Sequence, residues 1–160
     1  MPTFAEQIAK HVAKYQRQLA HVTQGTVIMV GKALVERSPV GKWSKWSEMG
    51  QGLNPMPPYV AGEFVGSWAY SNGTVGKDYP ATIDASGYKS MERFMEVKAA
   101  PTAARHFLYN NSPYAWVMET GVHPLIKNWR LVSGNHPVQL ALMDSKMFVR
   151  TAVAQARNIS

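Results

Sequence analysis

The first part of the chain carries one apolar stripe at helical spacing. From Phe4 onward, apolar or small residues recur at steps that mostly alternate between four and three, which is the spacing of one face of an α-helix. Thr3 stands where an N-cap is expected, and Glu6 completes a capping box. The helix is predicted to end before Ser38-Pro39, because the residue that precedes a proline is pushed out of the α region. The stripe consists of Phe4, Ile8, Val12, Tyr15, Leu19, Val22, Thr26, Met29, Ala33 and Leu34.

This helix is long for a chain of 160 residues. About 34 helical residues span roughly 50 Å at about 1.5 Å per residue, which exceeds the diameter of a domain of this size. Two outcomes are open. Either Gly25 and Gly31 break or bend the helix, or one end projects and packs on something else, most simply another subunit.

A long loop is predicted at residues 41–61. The stretch 38–61 holds four prolines, three glycines and two tryptophans, and these residues break both helices and strands. Loops of this length are usually functional, so its apolar side chains form a candidate contact surface for a partner. The alternative is that the loop folds back over the sheet. The candidate interface residues are Trp43, Trp46, Met49, Leu53, Met56 and Tyr59.

Beyond the loop the apolar period changes to two. Phe64, Gly66, Trp68 and Tyr70 alternate with their neighbours, which predicts the first strand of a β-hairpin that returns at 74–77. Turn residues at 84–87 are predicted to cap a helix from Lys89 to about Ala99, and Pro101 ends it.

The remaining elements are short, apart from a closing helix. Residues 103–110 are predicted to form a second sheet segment, and 114–120 a short helix with Gly121 as its C-cap. Residues 122–137 are predicted to be loop or hairpin. Alternating apolar residues at 138, 140 and 142 predict a strand, and Asp144 or Ser145 is then expected to cap a last helix through about Arg157. The order predicts an α+β fold with an antiparallel sheet in a single domain, 1–160.

Composition and charge narrow the function classes. The formal net charge is +7 and there is no cysteine, so a disulfide framework and a thiol nucleophile are excluded. Residues 1–37 carry five Lys/Arg against two Glu, and 123–160 carry five against one Asp. Basic ends favour anionic partners. No apolar run approaches the ~20 residues of a membrane span, and no leader pattern opens the chain. We therefore expect the protein to assemble in the cytoplasm and to have no membrane partner.

Candidate chemistry is sparse. The five histidines have no metal-ligand spacing, and no nucleophile elbow is present. We therefore expect no enzyme, cofactor or metal site. The hypothesis that the protein is a hydrolase stays open only if the fold brings one of three histidines and an acidic residue together in a pocket. The histidines are His106, His123 and His136, and the acids are Asp84 and Glu119.

A basic nucleic-acid-binding module is the main alternative class. The basic ends and the aromatic loop are typical of a surface that combines charge with base stacking. No zinc-finger, RNP, KH or helix-turn-helix signature accompanies them, which favours a basic surface that merely faces DNA.

Three blocks, in order along the chain, carry a resemblance to a known family. The first is the helix end Ala33–Gly41, which reads ALVERSPVG, and the second is Gly62–Trp68, which reads GEFVGSW. The third joins Leu108–Gly121, LYNNSPYAWVMETG, to the closing helix with FVRTAV at 148–153. Together they resemble the tail-completion and neck, or head–tail joining, proteins of long-tailed bacteriophages, of the lambdoid siphophage tail-component and lambda tail protein Z type.

The resemblance implies a function in assembly. It implies a structural virion protein that forms a ring, most often of six copies, around the DNA channel. Its partners would be further copies of itself, head-completion or connector proteins, and tail-tube or tail-terminator proteins. The motif residues that the resemblance transfers are Ser38, Pro39, Val40, Gly41, Gly66, Ser67, Trp68, Asn110, Tyr114, Ala115, Glu119 and Gly121.

Two motif residues have alternative interpretations. Trp68 lies on a predicted strand and is expected in the core rather than at a binding surface. Glu119 lies near the C-terminus of its short helix, where an acid is mildly unfavourable, which hints at an Arg or Lys partner on a neighbour.

Overall fold

The structure is a computed structural model that describes residues 2–40, 60–102, 104–113, 115–121 and 136–159. Most of the predicted 41–61 loop, and the segment 122–135, therefore lie outside the described residues. The elements are α1 (Phe4–Arg37), α2 (Glu63–Gly66), β1 (Ala69–Asn72), α3 (Tyr88–Phe94), a 3-10 helix (Met95–Ala99), β2 (His106–Tyr109), α4 (Ala115–Thr120) and α5 (Pro137–Ala156). The fold is α+β, as predicted.

The long N-terminal helix is confirmed, with its cap. The Thr3 hydroxyl accepts a hydrogen bond from the Glu6 backbone N–H at 3.3 Å, and the Glu6 carboxylate accepts one from the Thr3 N–H at 2.6 Å. The helix runs through both glycines without a break. Each glycine instead allows a close approach, Gly31 to the ring of Phe94 and Gly25 to Ala152.

Helix α5 packs antiparallel along the C-terminal part of α1. Arg37 near the end of α1 pairs with Asp144 in α5, and Gly25 faces Ala152. The Gln18 side chain reaches the carbonyl of Ile159, just beyond the end of α5, at 3.4 Å. Residues 2–13 are all exposed. The first turns of α1 thus project beyond the elements that the structure describes. That this end packs on another subunit stays a prediction.

The predicted strand at 138–142 is wrong, because those residues belong to α5. The helix begins at Pro137, a residue favoured in the first turn because it needs no N–H partner there. Its packed face holds the small buried residues Ala141, Ala152 and Ala156, and Phe148 also packs against the core cluster. Leu142 on the predicted strand is instead 63% exposed. Neither Asp144 nor Ser145 caps the helix, since both lie within it.

The sheet has two strands among the described residues, and they are not the predicted hairpin. β1 pairs antiparallel with β2, with Ala69 opposite Tyr109 and Asn72 opposite His106. The predicted sheet segment at 103–110 is therefore confirmed at His106–Tyr109, whereas 74–77 is not a strand. Residues 64–70 are all buried. A segment without a solvent face has no true period of two, and its first residues form the short helix α2.

The predicted helix at 89–99 is present as two pieces. α3 begins one residue early, at Tyr88, and the chain tightens into the 3-10 helix at Met95. Phe94 and Val97 are fully buried. The core cluster joins α1, α2, β1, these two helices, α4 and α5, and Leu108 of β2 packs against it. The cluster consists of Ala33, Leu34, Val35, Phe64, Val65, Trp68, Tyr70, Phe94, Val97, Val117, Met118 and Ala141.

The last short helix, α4, ends as predicted. Gly121 has a φ of +74° and its N–H bonds to the Val117 carbonyl at 2.7 Å, which is the left-handed C-cap that favours glycine. Among the described residues, neither α1 nor α5 contains a stretch apolar enough to cross a bilayer.

The two glycines of α1 give a matched test of the packing. A methyl group on Gly31 would overlap the Phe94 ring, whereas one on Gly25 would sit 3.4 Å from the Ala152 methyl. We expect Gly31→Ala to lower the free energy of unfolding by about 1–3 kcal/mol through overpacking. Gly25→Ala should leave it unchanged or raise it by up to about 1 kcal/mol through helix propensity. Urea unfolding measures both, and equal effects would contradict this packing.

The turn before α3 makes stability depend on pH. Hydrogen bonds from the Ser86 hydroxyl and from the backbone N–H of Lys89 hold the pKa of Asp84 below its ordinary value. The stabilisation is therefore present above the unfolded-state pKa, near about 3.9, and is lost as the pH falls through the lower folded-state value.

The substitution Asp84→Asn isolates this contribution. Wild type should be more stable than the variant at about pH 6, by less than about 1 kcal/mol because the carboxylate is exposed. The difference should shrink towards zero by about pH 2. Thermal unfolding across this range measures it, and a constant difference would refute the role of the ionised carboxylate.

Candidate functional site

Motif residues from distant blocks meet at a buried junction beneath the end of α1. The Ser38 hydroxyl donates to the Leu34 carbonyl at 2.7 Å and accepts a hydrogen bond from the Trp68 indole N–H at 2.8 Å. Trp68 is 3% exposed and its ring meets the Phe64 ring edge-on. Trp68 is thus a core residue, as the interpretation from the sequence favoured, and Ser38 is its polar partner. We call this set of motif contacts the motif junction.

The backbone of the second block is bound by side chains of α3. Ser90, which is fully buried, donates to the Val65 carbonyl at 2.7 Å. The Arg93 guanidinium donates to the carbonyls of Gly66 and Trp68 at 2.7 and 3.0 Å. These bonds supply partners to carbonyls that neither α2 nor β1 satisfies, as buried peptide groups require.

Gly66 is glycine because the chain passes too close for a side chain. A Cβ at this position would overlap the carbonyl oxygen of Thr82, which is backbone and cannot rotate away. Ser67 is fully buried, and its hydroxyl has no hydrogen-bond partner among the residues that the structure describes.

The third block is tied to the second by Asn110. Its side-chain amide donates to the Phe64 carbonyl at 2.8 Å, and its carbonyl oxygen accepts from the Ser112 N–H at 3.0 Å. Asn110 therefore joins the end of β2 to α2 and leads the chain into α4. Ala115 opens α4, and it is packed against the core cluster.

Glu119 has a partner within the chain. Its two carboxylate oxygens accept hydrogen bonds from the backbone N–H groups of Val138 and Gln139, at 3.0 and 3.1 Å. These groups lie in the first turn of α5, where unpaired N–H donors and the helix dipole both favour an anion. The hint of a basic partner on a neighbour is replaced by this contact, which links α4 to α5. No sequence signal marked it, because the cap lies 19 residues away.

The other motif residues fall into two groups. Pro39 and Val40 continue the chain beyond the cap of α1, and the Val40 carbonyl accepts the Gly62 N–H at 3.1 Å. Gly41 and Tyr114 lie outside the described residues. So do all six candidate interface residues, Trp43, Trp46, Met49, Leu53, Met56 and Tyr59.

A cavity of about 290 Å³ lies between α1, the sheet and the start of α5. Its lining is mostly apolar, with Trp68 and Ala141 on its walls, and includes two polar residues, Thr26 and His106. The His106 Nδ1 atom is 2.8 Å from the Tyr70 hydroxyl. Burial, followed by the nearby Glu96 carboxylate, raises the pKa of Tyr70.

The acids named in the hydrolase hypothesis do not line this cavity. Asp84 caps the turn before α3 and Glu119 caps α5. Within the described part of the chain, no three His, Asp or Glu side chains are grouped closely enough to hold a metal ion.

The helices at the two basic ends of the sequence, α1 and α5, pack against each other. α1 carries Lys10, Lys14 and Arg17, and the antiparallel α5 carries Lys146 and Arg150. Arg157, just after α5, lies beside Gln18 in a shared groove. The two basic ends therefore approach each other near Gln18, whereas Lys10 and Lys14 lie beyond the end of α5.

The two buried serines of the motif junction give a matched pair of variants. Ser38→Ala should lower the free energy of unfolding by about 1–3 kcal/mol, because the buried Trp68 N–H loses its acceptor. Ser67→Ala removes a hydroxyl that has no described partner and should be neutral or stabilising.

A double-mutant cycle tests the same contact. If the indole N–H and Ser38 interact directly, Ser38→Ala should cost much less in a Trp68→Phe background than in wild type. Urea unfolding gives the four free energies. Additive effects would show that Ser38 acts independently of Trp68.

The chain was compared with protein-family models, curated proteins and solved structures, and none of them matches it.

Proposed function

We propose that this chain is a structural protein of a bacteriophage virion. It completes the tail and joins it to the head by assembling as a ring, with six copies as the expected number, around the DNA channel. It acts by assembly, without chemical turnover. Its partners are further copies of itself, a head-completion or connector protein, and a tail-tube or tail-terminator protein.

The observation that carries this proposal is the motif junction. The resemblance rests on blocks near residues 38, 66 and 110, which are far apart in the sequence. In the structure the first two are joined by the Ser38–Trp68 hydrogen bond and the last two by the Asn110–Phe64 hydrogen bond. Residues that define one fold are expected to contact each other in this way, which supports descent from the same fold.

A ring subunit needs two different contact surfaces, because a closed ring is built from head-to-tail contacts. One candidate is the outer face of α5, where Leu140, Met143 and Met147 share one side at helical spacing and are 40%, 72% and 55% exposed. The other is the apolar loop at 41–61, whose six candidate interface residues remain a prediction. Apolar groups exposed together are typical of protein contacts.

The charge distribution suits a position beside packaged DNA. Basic side chains on the paired helices α1 and α5 would meet phosphates without reading sequence. The net charge of +7 would then serve non-specific contact with DNA in a channel or collar, rather than recognition of a DNA sequence.

Virion composition and gene deletion test the proposal directly. In a phage that encodes this chain, we expect purified particles to contain it in a small fixed copy number. Deletion of the gene should yield filled heads and separate tails that fail to join. Complementation by the wild-type gene is the control. Normal infectious particles that lack the protein would refute the proposal.

The loop prediction has its own variant. Trp43→Ala combined with Trp46→Ala should leave the melting temperature unchanged and abolish complementation, if the loop is an intersubunit or partner contact. If the loop instead covers the sheet, the double variant should lose several kcal/mol of stability, about the cost of deleting buried tryptophans. Retention of both stability and complementation would contradict both roles.

The outer face of α5 can be tested in the same assay. Met143→Glu should impair complementation with little change in melting temperature, since the side chain is exposed. Gln155→Glu adds the same charge at another exposed position of α5 and should complement normally. Equal effects of the two variants would argue against a contact at this face.

A basic nucleic-acid-binding module is the second candidate, and the basic residues on both terminal helices favour it. It predicts tight DNA binding by the isolated protein, with an affinity that falls steeply with salt. Titration at two salt concentrations separates the candidates, because a subunit that only lines a channel should bind free DNA weakly.

A further inference from the structure

The projecting part of α1 carries a regular heptad pattern. Ala5, Ile8, Val12, Tyr15, Leu19 and Val22 are separated by steps of three and four in strict alternation, which is the a/d pattern of paired helices. Four of these side chains are strongly exposed: Ile8 48%, Val12 49%, Tyr15 67% and Leu19 58%. We call this line of residues the α1 seam. A soluble helix does not normally leave so regular an apolar line in water.

The seam continues a helix–helix contact that already exists within the chain. Tyr15, Leu19 and Val22 line one side of an open groove, and Val153 and Ala156 of α5 line the other. The helix α5 ends near the hydrogen bond between Gln18 and Ile159. From Phe4 to about residue 14 the seam runs on for roughly 15 Å with no described element beside it.

We propose that a second copy of this chain occupies the α1 seam, with the projecting halves of the two α1 helices paired antiparallel. The inference goes beyond the proposed function, since a two-fold contact joins a pair of copies and is distinct from the head-to-tail contacts of a ring. Its test does not depend on whether the protein is part of a virion.

The end of α5 dictates the antiparallel direction. A parallel partner helix would continue along the seam past residue 18, into the space that α5 fills. An antiparallel partner starts beside Leu19, runs back along the seam and leaves past the N-terminus of the first copy. The two folded bodies then lie at opposite ends of the pair. Phe4 of one copy comes near Leu19 of the other, and the two copies of Val12 lie near the two-fold axis.

The charge pattern favours a second copy over a charged partner. The positions that flank a heptad seam decide which helices pair. Along this part of α1 the flanking positions hold no acid, lysine or arginine: they are Phe4, Ala9, His11, Gln16 and Gln18. The charges of Glu6, Lys10, Lys14 and Arg17 lie on the rest of the helix surface. Two copies of a chain with net charge +7 can therefore meet along the seam without opposing like charges.

The pair should be weak and depend on concentration. The contact spans about two heptads, and such an interface is smaller than the roughly 800 Å² per partner of a standard stable complex. Sedimentation velocity of the full chain over a wide concentration range should show a monomer that converts to a dimer.

Two exposed positions provide matched variants. Val12→Glu places a charge in the seam and should weaken the dimer at least tenfold. Ala13→Glu places the same charge on the next residue, which is exposed and outside the seam, and should leave association unchanged. Circular dichroism should show both variants as helical as wild type, because residue 12 lies in the projecting region, away from the core cluster.

Introduced cysteines test the direction. The natural chain has none, so each variant has a single thiol. Oxidation of Val12→Cys should link two copies across the axis, whereas Phe4→Cys should not, because its two thiols lie roughly 20 Å apart in the antiparallel pair. A mixture of Phe4→Cys and Leu19→Cys chains should form the mixed disulfide.

The inference is overturned by any of three results. The first is a wild-type chain that stays monomeric at the highest concentration. The second is Phe4→Cys linking to itself as well as Val12→Cys does, which indicates a parallel pair. The third is capture by a membrane instead: wild type would float with anionic phospholipid vesicles as a monomer, and Val12→Glu would not.

Discussion

The fold depends on the C-terminal half of α1, against which α5, the α3 region and Trp68 all pack. Phe94 lies against Gly31 with no room for a side chain between them, and Gly87 makes the same close approach to Val35. Ala152 of α5 meets Gly25, and Trp68 bonds to Ser38 at the end of the helix. A single helix thus provides the packing surface that the α3 region, α5 and the sheet share. Since protein interiors tolerate little change in volume, these small residues determine how near each element can come.

The second constraint is polar. Residues 64–70 run through the core without a solvent face, so their backbone groups need partners that water cannot supply. Ser90, Arg93 and Asn110 provide them. Among the residues that carry the resemblance, Gly66 and Trp68 lie in this buried segment, and Asn110 binds its backbone. This explains why the motif marks a fold and leaves the interaction surfaces to other parts of the chain.

α1 combines two environments along one continuous helix. Its C-terminal half is buried by its own chain, while its N-terminal half presents the same kind of apolar line to solvent. α5 has a similar division between a packed face of small residues and an outer face of Leu140, Met143 and Met147. Both helices hold more apolar surface than the described residues of this chain cover, and that excess is the physical basis for the assembly function that we propose. The motif junction differs from these exposed surfaces, because it is buried and has a structural role.

Local signals in the sequence determined the long helix with its Thr3 cap, the helix near residue 90, the segment at 106–109 and the Gly121 cap, because each rests on contacts between residues close in the chain. The mixed α+β class followed from them. Only the tertiary structure decided that Leu140 and Leu142 belong to a helix, since a five-residue apolar alternation fits either element until its packing partner is known. It also decided that β1 pairs with residues 106–109 and that Glu119 caps α5. Local sequence patterns do not identify such distant partners, because burial and long-range hydrogen bonds arise only when the elements pack together.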